Sequence, residues 1–104
     1  MNYYLSGPMT GYQNWNADTF NEYERKLYEK GADFVFNPTR GAPDTEKARE
    51  HSYYMLIDLH ELTQSYNDKP IYDVIAMLPG WSESDGARVE RDVAIACGIE
   101  VLYL

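Results

Sequence analysis

Residues 74–78 read Val-Ile-Ala-Met-Leu, and this unbroken apolar run constrains the fold more than any other feature of the sequence. A strand with one face in water alternates polar and apolar side chains, whereas a central parallel strand is buried on both faces and is apolar throughout. Pro79 and Gly80 follow the run and end it. The pattern therefore predicts a central parallel strand with helices packed on both faces of its sheet.

Strand and helix patterns alternate along the rest of the chain. Apolar, β-prone segments lie at residues 2–5, 34–36 and 101–104. Helical periodicity predicts three helices, from residue 14 or 16 to 30, from about 49 to 66, and from 84 or 85 to 97. Asn14 or Asn16 is expected to cap the first of them. We therefore expect a single α/β domain over residues 1–104 with a three-layer, flavodoxin-like or Rossmann-like fold. Its four-stranded parallel sheet should have the order 2-1-3-4, with helices on both faces.

Two glycine-containing loops, residues 6–11 and 79–86, follow the first and third predicted strands. In open parallel sheets, ligands bind beyond the carboxyl ends of the strands at the point where the strand order reverses. With the order 2-1-3-4, that point lies between these two strands. The two loops are therefore expected to wall a binding crevice, and their glycines allow close approach of the backbone to a ligand. A plain strand-to-helix turn also explains residues 6–11.

Glu90 interrupts the apolar stripe of the third predicted helix. That stripe consists of Ala87, Val93, Ala94 and Cys97. Burying an unpaired carboxylate is costly, so a glutamate in this place needs an explanation. In one interpretation the helix face opens onto the crevice and Glu90 is functional. In the other, its carboxyl end reaches water or pairs with Arg91. Cys97 on the same stripe is expected to be an inert core residue.

Other polar residues are compatible with either a structural or a functional role. Asp58 lies at the edge of the apolar stripe of the second helix and, on pattern alone, is a solvated helix aspartate. Ser84 is a good N-cap for the third helix, which explains it without a ligand. His51 and His60 have no companions at metal-ligand spacing, and the sequence predicts neither a metal site nor a cofactor site.

Composition excludes some partners. The formal net charge of −8 argues against nucleic acid or an anionic membrane as a partner, because both bind basic surfaces. One cysteine, no N-terminal signal pattern and no apolar run of about 20 residues predict a cytoplasmic protein that does not enter the membrane. Ten tyrosines predict an aromatic surface and self-association as a homo-oligomer.

Three segments together resemble the nucleoside 2-deoxyribosyltransferase superfamily, which includes the 2′-deoxynucleoside 5′-monophosphate N-glycosidases. Residues 4–9 (YLSGPM) are similar to its opening strand and loop, Asp58-Leu59 to a helical Asp-Leu before the central strand, and residues 84–90 (SDGARVE) to its catalytic segment. Within the superfamily, the sequence most resembles a family of short, uncharacterised bacterial and phage proteins. The three segments occur in the expected order and span nearly the whole chain.

The resemblance implies a catalytic set of three residues. Glu90 would be the nucleophile that attacks C1′ of a deoxyribose and forms a covalent intermediate. Asp58 would protonate or position the leaving nucleobase, and Tyr4 would hold the Glu90 carboxylate. The superfamily enzymes need no metal or organic cofactor.

The resemblance also implies a set of substrate-binding residues. Those expected around the sugar and its 5′ end are Ser6, Gly7, Pro8, Met9, Thr10, Ser84 and Gly86. Ser84 stands where nucleoside-using relatives carry Asp, which favours a 5′-monophosphate because a serine hydroxyl can donate to it. Trp81 would either stack on the nucleobase or cover the loop.

Three functions remain open from the sequence. The first is hydrolysis or transfer of the N-glycosidic bond of a nucleoside or nucleoside 5′-monophosphate, which the combination of Tyr4, Asp58 and Glu90 favours. The second is a non-catalytic nucleotide-binding module that senses or sequesters a nucleotide, which the lack of a basic residue in positions 8–10 favours. The third is an oligomeric interaction protein with a tyrosine-rich surface.

Overall fold

The computed structural model describes residues 1–41 and 51–104. Its strands are β1 (Asn2–Ser6), β2 (Phe34–Phe36), β3 (Ser65–Tyr66), β4 (Lys69–Pro70), β5 (Val74–Met77) and β6 (Glu100–Tyr103). Its α-helices are α1 (Ala17–Glu29), α2 (His51–Leu62) and α3 (Asp85–Ala96). Short 3-10 turns occupy Gln13–Asn16, Pro38–Gly41 and Trp81–Glu83. Within the described ranges, no helix is long and apolar enough to cross a membrane.

The main sheet is parallel, with the strand order β2-β1-β5-β6. Since β5 and β6 are its third and fourth strands along the chain, this is the predicted order 2-1-3-4. Strand β5 lies beside β1, with Tyr4 opposite Ile75 and Ser6 opposite Met77. All four residues of β5 are buried, as its apolar run predicted. The predicted α/β class and the position of the central strand are confirmed.

Helices cover both faces of this sheet. On one face, α1 packs over a core made of Leu5, Phe20, Leu27, Val35, Ala76 and Leu78. On the other face, α2 and α3 pack over a core made of Tyr4, Leu62, Tyr72, Ile75, Met77, Ala87, Ala94 and Ile99. Because side chains alternate along a strand, Leu5 points to the α1 face while Tyr4 and Ser6 point to the face shared by α2 and α3.

Helix α2 ends earlier than its sequence pattern predicts. Its last residue is Leu62, and residues 65–70 form a small antiparallel hairpin of β3 and β4 instead of a helical turn. Asn67 and Asp68 link the two strands with left-handed φ angles of 52° and 64°. Asn and Asp favour this conformation in two-residue hairpin turns, which explains why the helix cannot continue. The predicted helix start near residue 49 lies outside the described residues.

Two local predictions were wrong. Asn16 precedes α1 in a left-handed conformation, but its side chain does not cap the helix; its Nδ2 donates to the Pro8 carbonyl at 3.0 Å. Cys97 is exposed, although the stripe pattern placed it in the core. Cys97 is the C-cap of α3, and the buried stripe of the helix consists of Ala87, Glu90 and Ala94. Helix α3 therefore ends at Ala96, and Cys97, the last position of the predicted stripe, lies outside the core.

Gly7, the residue after β1, packs closely against Leu78, the residue after β5. A Cβ on Gly7 would lie 2.8 Å from the Cβ of Leu78, which is attached directly to the backbone and cannot rotate away. We expect Gly7→Ala to lower the free energy of unfolding by about 1–3 kcal/mol, the usual range for overpacking. Urea unfolding measures this difference. An unchanged unfolding midpoint would show that the backbone at Gly7 is free to shift.

Candidate functional site

Glu90 is buried at the centre of the face shared by α2 and α3, with only 7% of its surface exposed. The hydroxyl of Tyr4 donates to its Oε2 at 2.5 Å, and the hydroxyl of Ser6 donates to its Oε1 at 2.7 Å. Tyr4 and Ser6 are two residues apart on β1, so their side chains leave the strand on the same side. The glutamate that interrupts the apolar stripe is therefore satisfied by two hydroxyl donors from one strand.

Aromatic packing fixes the hydroxyl of Tyr4. The Tyr4 side chain is fully buried, and its ring stacks on Phe36 with a centroid distance of 5.0 Å and an interplanar angle of 23°. Tyr72 packs edge-on against the same ring at 5.5 Å. With two neighbouring rings in contact, the Tyr4 ring has little freedom to turn. The donor is therefore held in place before any ligand arrives.

Burial changes the acid–base properties of this cluster. It raises the pKa of Glu90 to about 7, while the hydrogen bonds from Tyr4 and Ser6 act in the opposite direction and the charge of Asp58 adds to the rise. The pKa of Tyr4 is raised by burial and by the Glu90 carboxylate beside it. Glu90 therefore changes protonation state near neutral pH, where an ordinary glutamate is ionised.

Asp58 lies on α2, next to the same tyrosine. Its backbone carbonyl lies 3.3 Å from the Tyr4 hydroxyl, whose single hydrogen is directed at both Glu90 and this carbonyl, so the hydroxyl contacts Glu90 and the backbone of α2. The Asp58 side chain is partly buried, and burial followed by the charge of Glu61 raises its pKa to about 6. The structure thus places Glu90 and the Asp58 backbone on the same Tyr4 hydroxyl.

A cleft of about 480 Å³ lies beside Asp58 at the β2 edge of the sheet. Its wall includes Phe36, Asn37 and Ile57. This is enough room for a nucleobase or a nucleoside. Glu90 is not among the residues that line this cleft.

The first residues of α3 determine where the helix begins and how closely it approaches α2. Ser84 is the N-cap, and its Oγ accepts from the Ala87 N–H at 3.2 Å. Gly86 faces α2: a Cβ there would lie 3.3 Å from Met55 Sδ and 3.4 Å from His51 Cε1. The absence of a side chain at Gly86 therefore lets the helix that carries Glu90 approach the helix that carries Asp58. The sequence analysis assigned Gly86 to substrate binding and did not predict this packing role.

The predicted loop residues have different surroundings. Ser6 contacts Glu90 directly, a bond that sequence reasoning missed when it assigned Ser6 to the sugar's 5′ end, although its period-two spacing from Tyr4 was a usable signal. Pro8 is buried, and a Cβ on Gly80 would lie 3.5 Å from its Cγ, so the two predicted crevice loops touch. Met9 packs against the α1 core, and Thr10 is exposed.

Trp81 is half-buried and packs against protein groups. Its ring lies 5.4 Å from the Tyr103 ring, and the Arg91 guanidinium sits 5.0 Å from its centroid. The Arg91 side chain also donates to the Tyr103 hydroxyl at 3.3 Å. These contacts hold Trp81 against β6 and α3.

Charged groups around the site are mostly paired. Arg88 donates to the Ser82 carbonyl at 2.6 Å and pairs with Asp85, so it is directed to the start of α3. Arg40 pairs with Glu24 on α1. Across the part of the chain that the structure describes, no group of three His, Cys, Asp or Glu side chains is arranged to hold a metal ion.

The raised pKa of Glu90 predicts a pH-dependent stability. Glu90 has a pKa of about 7 when folded and an ordinary value of 4.5, so the folded state binds the extra proton in this window. Its stabilising contribution is fully present below pH 4.5 and is lost as the pH rises through 7. Glu90→Gln cannot titrate. We therefore expect its free energy of unfolding, relative to that of the wild type, to rise by on the order of 3 kcal/mol as the pH increases through this range. Urea unfolding at several pH values measures it; parallel curves for the two proteins would contradict it.

Comparison with known proteins identifies a family for the chain but no characterised relative. The family described as Domain of unknown function (DUF4406) matches residues 1–103. Searches of curated proteins and of solved structures gave no match. Because the family match spans nearly the whole sequence, the chain belongs to the family described as Domain of unknown function (DUF4406).

Proposed function

We propose that this protein hydrolyses or transfers the N-glycosidic bond of a nucleoside or nucleoside 5′-monophosphate, with Glu90 as the nucleophile. One observation carries the proposal: a buried carboxyl group held by two hydroxyl donors, with a pKa raised to about 7. Perturbed carboxyl groups concentrate at functional sites. A merely structural glutamate has no need of this burial, because α3 has exposed positions that accept a carboxylate at no cost.

The proposed reaction has two steps. Glu90 acts first as the nucleophile and then as the leaving group, and Asp58 acts first as the acid and then as the base. The Glu90 carboxylate attacks C1′, and the N-glycosidic bond breaks with its electron pair passing to the base nitrogen. Asp58 gives its proton to the departing base, leaving an ester between Glu90 and the sugar. Water, or a second base, then attacks C1′ and breaks the ester, and its proton returns to Asp58. Tyr4 and Ser6 hold the carboxylate in line throughout.

The raised pKa values place the titration of both carboxyl groups near neutral pH. Attack requires an ionised Glu90, and protonation of the base requires a protonated Asp58. With pKa values of about 7 and about 6, both groups change protonation state in the same range. Because each charge raises the pKa of a neighbouring carboxyl group, ionising Glu90 favours a protonated Asp58. The pair therefore tends to hold one proton, which lies on Glu90 in the more populated form and on Asp58 in the reactive form.

A 5′-monophosphate is the preferred substrate class in this proposal. Ser84 caps the N-terminus of α3, a 12-residue helix whose first N–H groups and dipole favour an anion. A serine hydroxyl can donate to a phosphate oxygen, whereas an aspartate would repel it. This assignment also depends on the resemblance, in which nucleoside-using relatives carry Asp at this position.

A specific observation favours a second candidate, a nucleotide-binding module without catalysis. Glu90 is only 7% exposed, and both of its oxygens already accept a hydroxyl. Arg40, Arg88 and Arg91 each pair with an acidic neighbour. A module of this kind would bind the nucleotide at the loops and leave its glycosidic bond intact.

Release of free base tests the proposal directly. The purified protein is incubated with the four deoxynucleoside 5′-monophosphates, their nucleosides and NAD, and free base is measured by chromatography. We expect release from at least one of them, and a loss of at least about 1,000-fold in kcat for Glu90→Ala, since nucleophile removal abolishes covalent catalysis. Tyr4→Phe should lose roughly 10–100-fold, the worth of one hydrogen bond to a charged group.

Glu100→Gln is the matched control, because Glu100 is an exposed glutamate at the start of β6, outside the two loops. It should retain the activity of the wild type. Release that is unchanged by Glu90→Ala would overturn the role of Glu90. If no substrate releases base while one of them raises the melting temperature, the protein is the binding module.

Ser84→Asp separates phosphate recognition from helix capping. Aspartate is as good an N-cap as serine, so the variant should keep the stability of the wild type, whereas Ser84→Ala should lose about 1 kcal/mol. If Ser84 faces a 5′-phosphate, Ser84→Asp should raise KM for the monophosphate by at least about 10-fold and spare the nucleoside. An equal effect on both substrates would place the 5′ end elsewhere.

A further inference from the structure

The outer face of α2 is apolar and carries no full charge. Leu56 is 74% exposed, Ile57 50% and Tyr53 44%, and His60 is exposed on the same side. The exposed residues of α2 in the described structure are His51, Ser52, Tyr53, Leu56, Ile57 and His60. None of these is Asp, Glu, Lys or Arg, in a chain whose net charge is −8. Such a face is unusual on an acidic protein.

The acidic residues of α2 are turned toward the sheet. Glu61 accepts a hydrogen bond from the Tyr72 hydroxyl at 2.7 Å, and Asp58 lines the cleft beside β2. Both are only partly exposed. The helix therefore separates its carboxylates from its apolar face, and a basic partner would find no ion-pairing groups on that face.

The apolar surface continues from α2 across the edge of the sheet. Ile57 lines the same cleft as Phe34 and Tyr28, which are 46% and 43% exposed. With about 200 Å² for a whole aromatic side chain, these residues together with Leu56 and Tyr53 present roughly 500 Å² of apolar surface. That is near the upper limit for a monomer, and it is more than half of the roughly 800 Å² that each partner buries in a stable complex.

We infer that this face binds a second copy of the chain, with the two α2 helices packed antiparallel about a two-fold axis. The positions 53, 56, 57 and 60 are symmetric about the midpoint between Leu56 and Ile57. In an antiparallel pair centred there, Leu56 faces Ile57 of the other copy, and Tyr53 faces His60 of the other copy. The face is thus complementary to itself, as a two-fold interface requires.

Electrostatics favour the same occupant. Two copies of a chain with net charge −8 repel each other, so association is least costly where few unpaired carboxylates face each other. The exposed positions of α2 carry no carboxylate, and in the adjoining cleft Glu24 is paired with Arg40 while Asp58 is partly buried. Dimerisation here would also support the outer side of the helix whose backbone carbonyl at Asp58 accepts from Tyr4, and it requires no N-glycosidic chemistry.

Sedimentation equilibrium across a dilution series, without any substrate, tests this interface. We expect the wild type to be a dimer and Leu56→Glu to raise the dimer dissociation constant by at least about 10-fold, because the variant buries a charge against an apolar side chain. Ile95→Glu is the matched control, since Ile95 is 54% exposed on α3, and it should dimerise like the wild type. Circular dichroism checks that each variant is folded.

A mixing experiment tests the antiparallel geometry. Ile57→Lys alone should also be monomeric, because its lysine would face Leu56 of the other copy. When Leu56→Glu and Ile57→Lys proteins are mixed, the new glutamate faces the new lysine, so we expect a heterodimer that neither variant forms alone. A monomeric wild type, a wild-type-like Leu56→Glu, or a dimer that Ile95→Glu disrupts would each overturn the inference.

Discussion

The pair of hydrogen bonds from Tyr4 and Ser6 to Glu90 is the interaction on which the rest of this structure depends. A carboxyl group 7% exposed between a sheet and a helix is tolerable only because both of its oxygens accept a hydroxyl. Those donors come from consecutive same-side positions of β1, so β1 must lie inside the sheet and directly beneath α3. Even so, burial outweighs the two hydrogen bonds, and the pKa of Glu90 rises to about 7. The fold thus holds a carboxyl group that exchanges its proton near neutral pH.

Several distant features serve this one contact. Phe36 and Tyr72 hold the Tyr4 ring, whose hydroxyl reaches the backbone of Asp58, and Gly86 lets α3 approach α2 closely. Two carboxyl groups with raised pKa values therefore lie on two helices around one tyrosine. The proposed reaction uses one of them to attack C1′ and the other to protonate the departing base. A change in the packing of α2 would also be felt at Glu90.

The sequence predicted the parts of the fold that follow from local pattern. The run at residues 74–78 located the central strand, and the alternation of strands and helices led to the order 2-1-3-4. Glu90 was identifiable because it interrupts an apolar stripe. The partners of Glu90 were harder to predict, because Ser6 lies 84 residues away and its direction depends on strand register. The hairpin at residues 65–70 was missed because two left-handed residues, Asn67 and Asp68, override a helical pattern. Cys97 was wrongly assigned to the core, because periodicity does not show at which residue a helix stops packing on the sheet.

The most direct test of the central claim is to trap the bond that Glu90 is proposed to form. A 2′-fluoroarabino analogue of a substrate should slow the second step, because the electron-withdrawing fluorine destabilises the positively charged transition state. The protein is then digested and analysed by mass spectrometry. The account predicts one added sugar, or sugar phosphate, on the peptide of α3 and located at Glu90. Turnover of the natural substrate with the adduct on another residue, or with none formed, would contradict Glu90 as the nucleophile.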